Sequence, residues 1–188
     1  MTEDNNFPSG IGGAKLSMDA LGRMSPEEFK LADKIPIVIV LDNVRSMHNV
    51  GSVFRTADAF LMEGIYLCGF TPQPPHRDIH KTALGATETV HWQYHENALG
   101  LVNELKAQGY KIISIEQVTS SIPLHQFVWN GKDKLALIFG NEVDGVQQKL
   151  IDGSEACIEI IQLGTKHSLN ISVSAGIVLY KMAEVFLK

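Results

Sequence analysis

The amino-acid sequence predicts an α/β fold, a mostly parallel sheet flanked by helices. Three observations carry that reading. Short aliphatic runs recur along the chain: PIVIVLD at 36–42, YKIISIE at 110–116 and LALIFG at 135–140. Continuous runs of this kind suit strands buried on both faces, as parallel sheets bury them. Between the runs lie apolar residues at helical spacing, such as Val50, Val53, Phe54, Ala57, Phe60 and Leu61. Strand and helix then alternate along the whole chain, the order that builds layered α/β domains.

The elements follow in order. Residues 1–15 are polar and glycine-rich and are expected to form a disordered tail, leaving 16–188 as one domain. Ser25-Pro26-Glu27-Glu28 predicts a helix start, with a serine cap, proline at the first helical position and glutamate three residues after the cap. That short helix covers about 25–33. A strand at 36–42, an amphipathic helix at 50–61 and a strand at 64–70 come next. The stretch 71–88, rich in proline and histidine, reads as a loop, and 88–94 as a weaker strand. Asn97 to Gln108 is helical and Gly109 ends it. After the strands at 110–116 and 135–140, a shorter strand covers 156–163 and a closing helix covers 169–187.

The chain has 188 residues, 45% of them hydrophobic and 20% charged, which suits one ordinary globular domain. No apolar run approaches the roughly 18 residues that span a bilayer, and the N-terminus has no signal-peptide core. A cytoplasmic protein that does not enter membranes is expected. Cys68 and Cys157 each sit in an apolar stretch and read as buried free thiols in a reducing compartment. The net charge of −5 weighs against binding nucleic acid through the domain as a whole. A local basic patch can still act, because screening confines charge effects to roughly 8–10 Å. Arg45, His48, Arg55, His76, Arg77, His80, Lys81, Lys166 and His167 are its candidates.

Three segments break the local rules, and each joins a buried strand to a helix, where ligands bind in open α/β sheets. In 41–60, Asn49 precedes the helix and can cap it, Gly51 permits close backbone approach, and Arg55 lies off the apolar stripe. In 135–146, Gly140 and Gly145 bracket Asn141 and Glu142. In 160–182, a polar glycine loop leads to Ser168, a candidate cap, with Asn170 and Ser172 in the first turn. Each has a plain structural reading as well, as a capped helix or an ordinary turn.

Other patterns are weaker. His76/His80 and His91/His95 are each spaced four apart, but one pair lies in the loop and the other in a strand-like run, so no metal is expected. Gly164-Thr165-Lys166 lacks the full phosphate-loop pattern, and no G-x-G-x-x-G follows any strand. That argues against a nucleotide-binding signalling domain. The basic cluster His76, Arg77, His80 and Lys81 follows prolines on an exposed stretch and points to RNA contact.

Together the three segments resemble the motifs of the SpoU (TrmH) family of RNA 2′-O-ribose methyltransferases, within the SPOUT superfamily. The N-x-G-x-x-x-R pattern is Asn49, Gly51 and Arg55; G-x-E-x-x-G is Gly140, Glu142 and Gly145; S-L-N-x-S is Ser168, Leu169, Asn170 and Ser172. One departure is Ile160-Ile161, where the family reads Ile-Pro. The resemblance implies a SPOUT fold with a C-terminal deep trefoil knot. It implies S-adenosylmethionine (SAM) held in that knot by Gly140, Asn141, Ile160, Leu163 and Leu169, with Glu116 nearby. It makes Arg55, Asn49, Glu142, Ser168 and Asn170 the active residues, and Arg55, His76, Arg77, His80 and Lys81 the RNA contacts. Arg55 is an implausible free base, so the chemistry favours a bidentate grip on the target phosphate that polarises the adjacent 2′-hydroxyl. Asn49 and Ser168 are then expected to orient the ribose or the arginine, and Glu142 to fix Arg55 or a loop amide.

The resemblance also implies a homodimer. Val173, Ile177, Tyr180, Met182 and Phe186 spread apolar surface around much of the closing helix, more than one stripe needs, and Ser174, Ala175 and Gly176 admit a neighbouring backbone. By analogy tRNA is favoured over rRNA as substrate. The competing reading is a catalytically silent RNA-binding or assembly protein on the same scaffold.

Overall fold

The computed structural model describes residues 13–17 and 19–187, so most of the expected tail lies outside the described residues. The sheet has seven strands: β1 (Ile35–Asp42), β2 (Met62–Cys68), β3 (Trp92–His95), β4 (Lys111–Ile115), β5 (Ile122–Pro123), β6 (Leu135–Phe139) and β7 (Ala156–Glu159). Their order across it is β3-β2-β1-β6-β4-β7-β5, and every pairing is parallel. Parallel strands need crossover connections, and helices lie in those joining β1 to β2, β2 to β3, β3 to β4 and β6 to β7. The helices are α1 (Pro26–Leu31), α2 (Met47–Ala59), α3 (Arg77–Ala83), α4 (Ala86–Thr89), α5 (Ala98–Ala107), α6 (Gln148–Asp152) and α7 (Ile171–Ala183), of which α1 precedes β1 and α7 follows β7. A 3-10 turn covers Asp19–Leu21.

Alternation within the strands divides the core into two layers. Ile37, Ile39 and Leu41 of β1 face a cluster with Val53 and Phe54 of α2 and Val178 and Leu179 of α7. Val38 and Val40 face the other layer, with Leu101 and Leu105 of α5 and Leu150 of α6. The continuous apolar runs follow from this burial on both sides. Both thiols are free and buried, and burial, with Asp42 close by, pushes the Cys68 thiol up to about 12.

Local signals held where they were chemical. Ser25 and Glu28 form the expected reciprocal cap: Ser25 Oγ accepts from Glu28 N at 3.2 Å, and the Glu28 carboxylate accepts from Ser25 N at 2.7 Å. Several boundaries differ. α2 begins at Met47 under a Ser46 cap, so Asn49 lies inside the helix and does not cap it. The cap of α7 is Asn170, not Ser168. The last strand ends at Glu159, four residues short of the expected 163.

The stretch 71–88 is no simple loop, since it carries α3 and the start of α4. α3 turns inward only Ile79 and Ala83, a stripe too short to register as periodicity. His76 accepts from Asp78 N at 3.2 Å to cap it, and Leu84 and Gly85, at φ 49° and 92°, end it. His80 therefore sits on a helix and His76 caps it. Among the described residues, however, no group of three or more His, Cys, Asp or Glu comes together.

Candidate active site

The site lies where β1 and β6 end, beside β4 and β7. After β6 the chain turns through 140–147. Asn141 and Gly145 pair through their backbones at 3.2 and 3.1 Å, and Asn141 Oδ1 accepts from the amides of Val143 and Asp144 at 2.9 and 2.8 Å. Two carboxylates strap the turn from below. Glu116, just past β4, accepts from Val146 N at 3.0 Å. Asp42, at the end of β1, accepts from Gln147 Nε2 at 2.8 Å. Asp42 is almost fully buried, and burial raises its carboxyl above the ordinary value against the bonds from Gln147 and Asn43.

The strapped turn holds Glu142 against the N-terminus of α2. Its carboxylate accepts from Arg45 N at 3.1 Å, Ser46 N at 3.2 Å and Asn49 Nδ2 at 2.9 Å. The open amides and positive end of a helix favour a carboxylate there. Burial alone would raise the Glu142 carboxyl. The N–H of Arg45, the Asn49 amide, its own amide and the Ser46 N–H outweigh that and hold it below the usual carboxylate value. It is therefore ionised at neutral pH.

From Glu142 a relay runs through the other two motifs. Asn49 gives its N–H to the carboxylate, which leaves its Oδ1 to accept from Asn170 Nδ2 at 3.1 Å. Asn170 Oδ1 then accepts from Ser172 N at 2.8 Å and Ser172 Oγ at 2.7 Å. An ionised carboxylate can only accept, so Glu142 sets the direction of every amide in the chain. Residues 49, 142 and 170, far apart in sequence, are thereby joined, with Asn49 only 8% exposed.

The remaining candidates sit as follows. Ser168 is exposed and lies outside the relay. Arg55 is exposed on α2, six residues beyond Asn49, which is about 9 Å along the axis and roughly 120° around it. Glu142 thus fixes loop amides and Asn49, not Arg55. Gly140, Asn141 and Glu116 build the turn, while Ile160, Leu163 and Leu169 follow β7 in a segment without regular structure, Leu163 being 97% exposed. His76, Arg77, His80 and Lys81 gather on α3 and its cap, with Lys81 paired to Asp78 at 2.7 Å.

Sequence reasoning missed Ser46, Asp42 and Gln147. A carboxylate closing an apolar run was a usable signal for Asp42; nothing in the local pattern marks Gln147.

A parallel α/β sheet with its polar network at the carboxyl ends of the strands defines a ligand-binding α/β domain. Residues 36–180 match the SpoU rRNA Methylase family, and the chain belongs to that family. Among its relatives is the 23S rRNA (guanosine-2′-O-)-methyltransferase RlmB of Neisseria meningitidis serogroup B, 33% identical over 144 residues, 77% of this chain and 56% of that one. The tRNA (guanosine(18)-2′-O)-methyltransferase of Borreliella burgdorferi is 24% identical over 78% of this chain and 65% of its own. The chain thus spans only about half to two thirds of these relatives' lengths. An AdoMet-bound rRNA methyltransferase from Sinorhizobium meliloti superposes with a TM-score of 0.77 at 25% identity, over 88% of this chain and 62% of that one. The A. aeolicus TrmH/SpoU tRNA modifying enzyme shares the fold, with a TM-score of 0.74 at 24% identity over 85% of this chain and 79% of its own.

Proposed function

We propose that this protein transfers a methyl group from SAM to a ribose 2′-hydroxyl of RNA. The observation that carries the reading is the relay Glu142–Asn49–Asn170–Ser172, which unites the three motifs in one hydrogen-bonded chain. A silent scaffold has no need of so specific a polar chain at its surface.

The residues present suit SAM. Among the described residues, no backbone N–H of 161–169 bonds to the rest of the backbone, and Leu163 and Leu169 expose apolar surface beside them. Open amides and leucines suit an adenine ring and its ribose. Gly140, Asn141, Ile160, Leu163 and Leu169 would hold the group, with Glu116 shaping the turn. When bound, SAM supplies an electrophilic methyl on sulfur. Arg55 would grip the target phosphate and polarise the neighbouring 2′-hydroxyl, whose proton is lost to solvent as its oxygen takes the methyl and S-adenosylhomocysteine leaves. The relay keeps the ends of α2 and α7 in register, and Ser168 orients the ribose. The family's trefoil knot, a cytoplasmic site and freedom from metal belong to the same reading.

Calorimetry should show SAM binding, and purified protein should convert RNA to 2′-O-methylated nucleosides read by mass spectrometry. Separate digestion of tRNA and rRNA decides between the tRNA suggested by analogy and the rRNA of several relatives' names. RNA binding without SAM binding would establish the silent scaffold instead.

A homodimer through α7 is part of the proposal. Val173, Ile177 and Tyr180 line one side of the helix at 49%, 39% and 51% exposure. Gly176 lies among them, and nothing approaches within 4 Å of where its Cβ would stand, so a second backbone has room. Ala175 and Met182 instead face this chain's own core, and Phe186 packs on Trp129 at 5.8 Å. A bare apolar stripe of this kind marks an interaction surface. Light scattering at micromolar concentration should show a dimer that Ile177→Glu or Tyr180→Glu splits. A stable, active wild-type monomer would refute it.

A further inference from the structure

Outside the relay, a pocket of about 540 Å³ opens between α3, α4 and the start of β3. Its size falls among small-molecule sites, which run roughly 300–1,000 Å³. Pro75 and Trp92 supply apolar walls over the buried Ile79, Arg77 supplies positive charge, His80 an imidazole and Glu88 a carboxylate. The walls are rigid. Ile79 is fully buried, and the Trp92 ring is packed edge-on against Phe54 of α2 at 6.4 Å and 84°.

The pocket is also tied to the active site. A Cβ at Gly51 would stand 2.1 Å from Thr82 Oγ1 and 2.3 Å from Ile79 O, so α3 lies directly on α2 at this glycine. Thr82 Oγ1 donates to His48 O at 3.1 Å across the same contact. Arg55 is one turn beyond Gly51 and about 40° around the helix, on the side that carries α3. The walls of the pocket therefore pack on the helix that carries Arg55 and Asn49.

We propose that this pocket holds a single unstacked nucleotide of the RNA, one that flanks the methylated residue. The inference rests on the RNA-methylating reading above. An aromatic ring and proline offer a stacking surface to any base, the usual device for single-stranded RNA. Arg77 and His80 suit its phosphate. A carboxylate has two acceptor oxygens, and guanine alone presents two adjacent N–H donors on its pairing edge, so Glu88 favours guanine. An apolar protein side chain would leave Arg77 and Glu88 without a role.

The test uses indole N–H resonances of the full chain. Trp92 lines the pocket, whereas Trp129 is buried and donates to Asp133 O at 3.0 Å, giving an internal reference. Titration with guanosine 5′-monophosphate, and with a short single-stranded oligoribonucleotide, should move the Trp92 signal and leave Trp129 in place. Arg77→Ala should weaken both about tenfold, the loss of one charge-assisted contact, with SAM affinity unchanged. Glu88→Gln should narrow the preference for guanosine over uridine monophosphate. A Trp92 signal that stays put at about 10 mM nucleotide, above the range of weak ligands, overturns the proposal, as does binding of the free nucleotide but not of the oligonucleotide. If Trp92 responds but no RNA is methylated, the pocket stands and the proposed activity falls. If methylation proceeds with Trp92 silent, the pocket alone falls.

Discussion

Arg55→Ala is expected to abolish methyl transfer while the affinity for SAM stays at its wild-type value. The side chain is exposed, so its loss removes nothing from the core formed by its neighbours Val53, Phe54 and Ala57. It also lies outside the relay, so Glu142, Asn49 and Asn170 keep their bonds. The proposed function assigns Arg55 to the substrate. Removing one group that stabilises developing charge costs on the order of 10²–10³ in rate. Arg55→Lys should recover only part of this, because an ammonium keeps the charge and loses the planar fork. Single-turnover rates, calorimetry and thermal melts together check the claim. Retained turnover, or an equal loss of SAM binding, sinks the assignment.

How much of this could be read from sequence depended on the range of the interaction. The strands were legible because burial on both faces leaves a continuous apolar run, as in β1 and β6. The cap of α1 was legible because both partners lie within four residues. Asn170 and Asn49 were legible as candidates by their motif spacing, but not in their roles. Asn49 was mistaken for a cap because Ser46, the true cap, sits inside a polar run where several residues could serve. The helices of 77–89 were obscured by the prolines before them and by an inward stripe of two residues. The straps from Asp42 to Gln147 and from Glu116 to Val146 cross 105 and 30 residues. Only the sheet order, which sets β6 between β1 and β4, brings these groups together.

The same straps make Gly140 the position where the smallest substitution should do the most harm. A Cβ there would stand 2.0 Å from Gly145 C, 2.1 Å from Val146 N and 2.2 Å from Gly145 O. All three are backbone atoms of the turn itself, and no side chain can rotate out of the way. Relief requires the turn to move as a unit. Glu116 holds Val146, and Asp42 holds Gln147, so that motion breaks their bonds and carries Glu142 off the N-terminus of α2. Overpacking typically costs 1–3 kcal/mol and occasionally more, and a clash with backbone belongs at the upper end. At roughly 2–4 °C per kcal/mol for a domain of this size, about 3 kcal/mol lowers Tm by about 6–12 °C. Gly140→Ala should therefore melt earlier and, where it still folds, lose SAM binding and turnover together, unlike Arg55→Ala. Gly164→Ala is the control, because nothing lies within 4 Å of its Cβ position. Its stability should stay within about 0.5 kcal/mol of wild type. A Gly140→Ala protein with the wild-type melting temperature and turnover would show that the turn is mobile and that its straps do not hold Glu142 in place.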